Sequence, residues 1–228
     1  MDFRNRKDLV FIILAGFFVT NAIVAELIGG KLVQFFGIFT QSIGIILWPV
    51  VFILTDLINE YYGRSGVRKL TFITIGLIIY TYILITVAIN LKAVDFSPVN
   101  DSVFLTVFGQ SQWIIVGSIV AFLSSQLVDV YIFWKLRNVT GKRLIWLRAT
   151  GSTLVSQLID TFVVQFIAFV LPGKWAFGEF IINASYGYVF KLLVAVALIP
   201  LIYLGHFAIE RFLGTAESEK ATEEAVKE

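Results

Sequence analysis

Residues 125–129 read Ser125-Gln126-Leu127-Val128-Asp129, and 31 residues later the chain repeats itself as Ser156-Gln157-Leu158-Ile159-Asp160. Each copy lies in a long apolar run, residues 113–134 and 149–171, of the length an α-helix needs to cross a bilayer. In both, Gln and Asp stand three residues apart, on one face of a helix. A carboxylate inside a membrane span is expensive and marks a functional site by default. The competing reading is structural, since polar side chains in membranes also act as interhelical hydrogen-bond glue.

Outward from the repeat, residues 9–28, 37–61, 70–91 and 187–207 complete a set of six spans. The composition agrees: 228 residues are 58% hydrophobic and only 15% charged, with a mean hydropathy of +0.86. The expected fold class is an all-α polytopic membrane protein. The first run begins like a signal peptide but is too long, so it reads as an uncleaved helix. Trp48-Pro49 marks a kink or boundary in the second span, and Gly63 ends it. Residues 92–112 read as a polar loop whose apolar insert, 103–108, is too short to cross and suits a lid. Asn183 to Gly187 interrupts the last run, which leaves 180–186 in the outer interface. The Glu- and Lys-rich residues 212–228 read as a disordered cytoplasmic tail. On alternate sides, the N-terminus, the 64–69 turn, the 135–148 loop and the C-terminal end from Arg211 on hold 3, 3, 5 and 3 Lys plus Arg, against Lys31, Lys92 and Lys174 opposite. The positive-inside rule then puts both termini in the cytoplasm.

Depth at 1.5 Å per residue makes the repeat antiparallel, with Gln126 and Gln157 level, Asp129 a turn to one side and Asp160 a turn to the other. One site between the fourth and fifth helices is the natural inference. Asp56 and Glu60 approach from the cytoplasmic end, as ligand contacts or as a gate held by Arg64 or Arg148. Glu26 and Lys191 share the outer half and are expected to pair, which leaves Asp56, Asp129 and Asp160 to a proton, an organic cation or a molecule with N–H donors. Trp48, Trp113, Tyr186 and Tyr188 are candidate stacking faces. Catalysis finds no support. Cysteine is absent, and the single histidine, His206, reads as interfacial, so no metal site is expected. The turn at Gly141-Lys142-Arg143 lacks the spacing of a phosphate-binding loop. The two repeat aspartates, about 9 Å apart in depth, do not suit a protease dyad.

Several elements resemble the queuosine-precursor transporter, or VUT, family: Asp56-x-x-x-Glu60-x-Tyr62-Gly63-Arg64, the tandem Ser-Gln-x-x-Asp elements, Trp146-Leu147-Arg148, Ser152-Thr153, and Lys191 with Pro200 and Tyr203. The resemblance covers the second to sixth spans. It implies a six-helix inner-membrane carrier that imports 7-cyano-7-deazaguanine or 7-aminomethyl-7-deazaguanine, is similar to the substrate-binding subunits of energy-coupling-factor vitamin transporters, and works without their ATPase partners. The implied partners are a deazapurine and the lipid bilayer, with no nucleic acid and no cofactor, and a homo-oligomer is compatible. The alternatives are a binding subunit of a multi-component transporter, or a structural protein in which the repeat is glue. Expected binding residues are Gln126, Asp129, Gln157, Asp160, Lys191, Asp56, Glu60, Glu26 and Trp48. Of these, Asp129 or Asp160 takes the guanine-type edge, because two parallel N–H groups match a carboxylate. The chain departs from the family pattern at Ala149-Thr150 and at Glu26, where a lysine is expected.

Overall fold

In hydrocarbon every backbone N–H and C=O must be satisfied within its own segment, so the apolar runs become helices. The computed structural model describes residues 5–37, 39–109, 112–140 and 144–227. Arg4, Lys142 and Arg143, counted in the charge pattern above, lie outside the described residues. Helix α1 (Arg6–Ile28) starts where Asn5 accepts from the Lys7 N–H, and it ends at Gly29. A short hairpin follows, β1 (Leu32–Phe35) against β2 (Phe39–Ser42), with Leu32 opposite Ser42. A 3-10 turn, Ile43–Ile46, leads into α2 (Trp48–Asn90), which carries Pro49 in its first turn, where a missing N–H is tolerated. The rest of the chain is α3 (Asp101–Phe108), α4 (Gln112–Thr140), α5 (Ile145–Gln165) with a π-helical turn (Phe166–Val170), α6 (Phe177–Ala197), α7 (Ile199–Leu213) and α8 (Thr215–Lys227).

Five helical stretches among the described residues are long and apolar enough to cross a membrane: Arg6–Ile28, Ile43–Asn90, Asp101–Thr140, Trp146–Val170 and Phe177–Ala197. The expected second and third spans both fall within α2, which is not straight. Gly63 has φ 71° and ψ −176°, a conformation open essentially to glycine alone. Three contacts give the direction of each arm. Gly44 lies against the Ala25 carbonyl, the Tyr62 hydroxyl donates to the Lys7 carbonyl at 2.7 Å, and the Tyr82 hydroxyl donates to Glu26 at 3.1 Å. The arm before Gly63 therefore runs against α1 and the arm after it runs with α1.

Other boundaries differ from expectation for identifiable reasons. The span expected at 37–61 begins as the hairpin, and the helix starts only at Trp48. The last span was expected at 187–207 but begins at Phe177, and it breaks at Leu198 because Pro200 cannot donate to the ladder and clashes one turn back. Residues 103–108 form the end of α3, which buries no side chain. The tail expected to be disordered folds as α8. Its composition is polar, but Ser218, Ala221 and Ala225 form a buried stripe of small residues at helical spacing, packed on α2 and α7. Lys7 and Glu224 add a surface ion pair at 2.7 Å.

Where α2, α4, α5 and α8 converge, the joint is ionic. Arg148, fully enclosed on α5, donates to Glu60 Oε2 at 2.9 Å. Arg137 of α4 approaches Glu60 Oε1 at 3.4 Å and donates to the Thr222 carbonyl of α8 at 3.1 Å. Arg64, the other expected gate partner, instead stacks over Trp134 with its guanidinium carbon 4.9 Å from the ring centre. His206, expected at the interface, is buried and shares a 3.0 Å hydrogen bond with the Tyr61 hydroxyl.

Two substitutions test this framework by thermal denaturation of the detergent-solubilised protein. Gly63→Ala forces a Cβ into the glycine-only region and is expected to destabilise by about 1–3 kcal/mol. Arg148→Met leaves Glu60 short of its main partner and is expected to cost about 3–5 kcal/mol, with partial recovery when Glu60→Gln is added.

Candidate functional site

Helices α4 and α5 pack antiparallel along their length. Gly117 lies against the Val164 carbonyl, where a Cβ would be only 3.0 Å away, and the close approach it permits fixes the register. At the centre the Ser156 hydroxyl donates to Asp129 Oδ1 at 2.9 Å. The serine of one copy thus sits beside the aspartate of the other. From that pairing Gln126 and Gln157 fall within about two residues, or ~3 Å, of one level, and the aspartates are offset by about 6 Å rather than the expected 9 Å.

The two copies, alike in sequence, meet different partners. Gln126 faces α2, donating through Nε2 to the Thr55 hydroxyl at 3.1 Å, while that hydroxyl donates to the Val51 carbonyl at 3.0 Å. Asp160 faces α6, and Lys191 Nζ donates to its Oδ2 at 2.6 Å. This corrects the expected Lys191–Glu26 pair: Asp160 lies nearer to Lys191 than the depth reckoning from sequence implied. Glu26 is held by Tyr82 and by the Ser118 hydroxyl of α4.

Between α2, α5, α6 and α7 lies a narrow, partly open cleft. Its walls are mostly apolar, with Phe52, Ile53, Ala149 and Ile202 among them, and its polar groups are Asp56, Thr150, Thr153, Gln157 and Lys191. Asp56 Oδ1 and Gln157 Oε1 are buried and make no hydrogen bond among the described residues. Such a site can accept from N–H groups at Asp56 and Gln157 and donate from Lys191, against an apolar face that suits a planar ring.

The nine residues singled out from sequence divide accordingly. Asp56, Gln157 and Lys191 line the cleft together; Asp160 reaches it only through its bond to Lys191. Gln126 and Asp129 do not line it, because α4 lies behind α2 and α5 as seen from the cleft. Glu60 is engaged by Arg148 and Arg137, and Glu26 lies in the separate pocket beside Tyr82. Trp48 packs its ring on Phe122 at 5.3 Å instead of facing the cleft. Of the other aromatic candidates, Tyr188 donates to the Leu154 carbonyl at 3.1 Å, and Trp113 and Tyr186 are exposed. Sequence reasoning missed Thr55, Asn59, Thr150, Thr153 and Arg137. The usable signals were spacing: Asn59 stands three residues from Asp56, and Arg137 two turns beyond Asp129.

A family model described as "Putative vitamin uptake transporter" matches residues 42–205. A "Probable queuosine precursor transporter" of Bacillus subtilis (strain 168) is 34% identical over 141 residues, which is 61% of this chain and 61% of the relative. One of the same description from Haemophilus influenzae is 28% identical over 167 residues, 70% of this chain and 66% of the relative. A "Queuosine precursor transporter" of Escherichia coli (strain K12) is 26% identical over 161 residues, 69% of each chain. The chain thus spans about three fifths of the length of the first of these relatives. No solved structure matches the chain significantly. The matched region takes in α2 and α4 to α6 with every cleft residue they contribute, and the chain belongs to the putative vitamin uptake transporter family.

Proposed function

We infer that this chain is a membrane carrier, not an enzyme, that imports a queuosine precursor, 7-cyano-7-deazaguanine or 7-aminomethyl-7-deazaguanine, through the cleft between α2, α5, α6 and α7. The observation that carries this reading is Asp56, which is 2% exposed and has a carboxylate oxygen with no hydrogen-bond partner among the described residues, on the wall of a mostly apolar cleft. A deazaguanine offers two parallel N–H donors, the ring N–H and the exocyclic amine, to one carboxylate. Its carbonyl accepts from Lys191 or from the Gln157 amide, and its flat faces meet Phe52 and Ile53. Asp56 therefore replaces Asp129 or Asp160 as the group that reads the guanine-type edge. The names of the three relatives point to the same substrate class.

The reversal at Gly63 supports six crossings, with α1, the two arms of α2, α4, α5 and α6 as the spans. With six crossings, the Lys and Arg excess at the Arg6, Arg64, Arg137 and Arg148 end puts both termini in the cytoplasm of an inner membrane. The Glu60–Arg148–Arg137 joint then closes the cytoplasmic end of the bundle. No ATPase partner is required by this reading.

The test is rescue of queuosine-modified tRNA in a host that lacks precursor synthesis, its own importer and energy-coupling-factor ATPases, supplied with dilute external precursor. Expression of this chain should restore the modification, and a well-expressed chain that restores nothing overturns the reading. In the purified protein both deazaguanines should raise the melting temperature by mass action. Asp56→Asn should weaken that binding by about tenfold to a hundredfold, the effect of losing a charge-assisted hydrogen bond of about 1.5–3 kcal/mol.

A further inference from the structure

Behind the cleft wall, α2 and α4 run side by side in the same direction. They are tied at Thr55–Gln126 and again at Glu60–Arg137. Those ties bracket Asp56 and Asn59 on α2 and Asp129 on α4. Helix α5 closes the third side, through Ser156 to Asp129 and Arg148 to Glu60. Asn59 and Asp129 are fully enclosed, yet both amide atoms of Asn59 and Asp129 Oδ2 make no hydrogen bond among the described residues, as is true of Asp56 Oδ1. Buried polar atoms in native proteins are ordinarily paired, and a group of them converging at one level points to something they bind.

The charges say what it is. Among the described residues the buried cations are Arg137, Arg148 and Lys191, and the buried carboxylates are Glu26, Asp56, Glu60, Asp129 and Asp160. Lys191 and Asp160 neutralise each other. Glu60 takes one of the two arginine charges, and the second offsets one of the two aspartates. Glu26 lies at the other end of the bundle with Tyr82 and Ser118, and His206 is bonded to Tyr61. One negative charge on the Asp56–Asp129 pair is left over, in a medium where an unpaired charge is costly. A hard metal cation takes about six oxygen ligands, and the free oxygens here are one from each of Asp56, Asn59 and Asp129. A proton needs only two.

We propose that Asp56 and Asp129, with Asn59 beside them, share a single proton and form the coupling site of a proton-driven importer. Asp56 belongs to both the pair and the cleft, and this links the two. When a ligand presents N–H donors, Asp56 must accept with both oxygens, so the shared proton moves from the Asp56 carboxyl to the Asp129 carboxylate and the charge of the pair is unchanged. The loaded carrier thus holds its proton on Asp129, out of reach of the ligand, and releases both on the other side. The linkage to substrate rests on the cleft reading above; the proton site itself does not.

Two measurements on the purified full-length chain test this. Infrared difference spectra between acidic and alkaline buffer should contain a buried carboxylic-acid C=O band that Asp129→Asn removes and Ser156→Ala, which keeps both carboxyls, shifts. In proteoliposomes with the membrane potential clamped, labelled 7-aminomethyl-7-deazaguanine or its cyano analogue should accumulate on the alkaline side, by up to about tenfold per pH unit, and Asp129→Asn should abolish the accumulation. A band unmoved by either substitution, or accumulation indifferent to the pH gradient, overturns the proposal. So does accumulation driven by a sodium gradient in its place. If the band responds as expected but neither deazaguanine crosses, the proton site stands and the substrate reading falls. Should Asp129→Asn fail to fold, the Ser156→Ala shift alone decides.

Discussion

Arg148 carries a full positive charge and has no contact with solvent. A guanidinium is tolerated there only with its carboxylate in place, because removing either partner leaves an uncompensated charge in a low-dielectric setting. Glu60 therefore fixes where α5 can sit against α2, and Arg137 brings α4 and α8 to the same point. The pair adds little net stability, since desolvation consumes most of the attraction. It does specify register, and the positions of Asp56 one turn back from Glu60 and of Thr153 and Gln157 along α5 follow from it. The cleft is held open between helices whose spacing is set by charge at one end and by the hairpin and the Phe35–Phe190 contact at the other.

The repeat illustrates how one motif can serve two ends. Its copies are symmetric in sequence and nearly symmetric in depth, yet Asp129 is enclosed against a serine while Asp160 is paired with a lysine. The difference arises from the third helix each copy meets: α2 brings carboxylates and an amide, and α6 brings an ammonium. Glue is part of the answer, since Ser156–Asp129 and Gln126–Thr55 do tie helices together. The atoms those bonds leave over fall outside the glue reading.

Membrane character, helix type and most spans are legible in the sequence because apolar length is a direct consequence of bilayer thickness. So is the polar inventory, since a charge in such a run is conspicuous. Partnership is less so. Depth alone places Lys191 near Glu26, but lateral position decides, and in depth Asp129, Asp160 and Asp56 look interchangeable. The helix boundaries went wrong where local chemistry overrode the apolar pattern: β-pairing at 32–42, a proline at 200, and a small-residue stripe that a polar composition conceals at 218–225. Arg137 reads only as a loop charge because basic residues usually mark interfaces, whereas here it turns inward beside Arg148.

The single-residue turn at Gly63 has a consequence for how the chain enters a bilayer. The arm before it ends with Asp56, Asn59 and Glu60 and is a poor candidate to partition alone, since an aspartate deep in a span opposes insertion by about 3 kcal/mol. The arm after it opens on Arg64, Arg68 and Lys69, and residues 70–91 beyond them hold no charged residue. With no loop between them, the two arms turn back on one another as one hairpin, so burying the polar arm places its apolar neighbour with it. The glycine that shapes the cleft wall thereby also ties the costliest helix of the bundle to an uncharged neighbour.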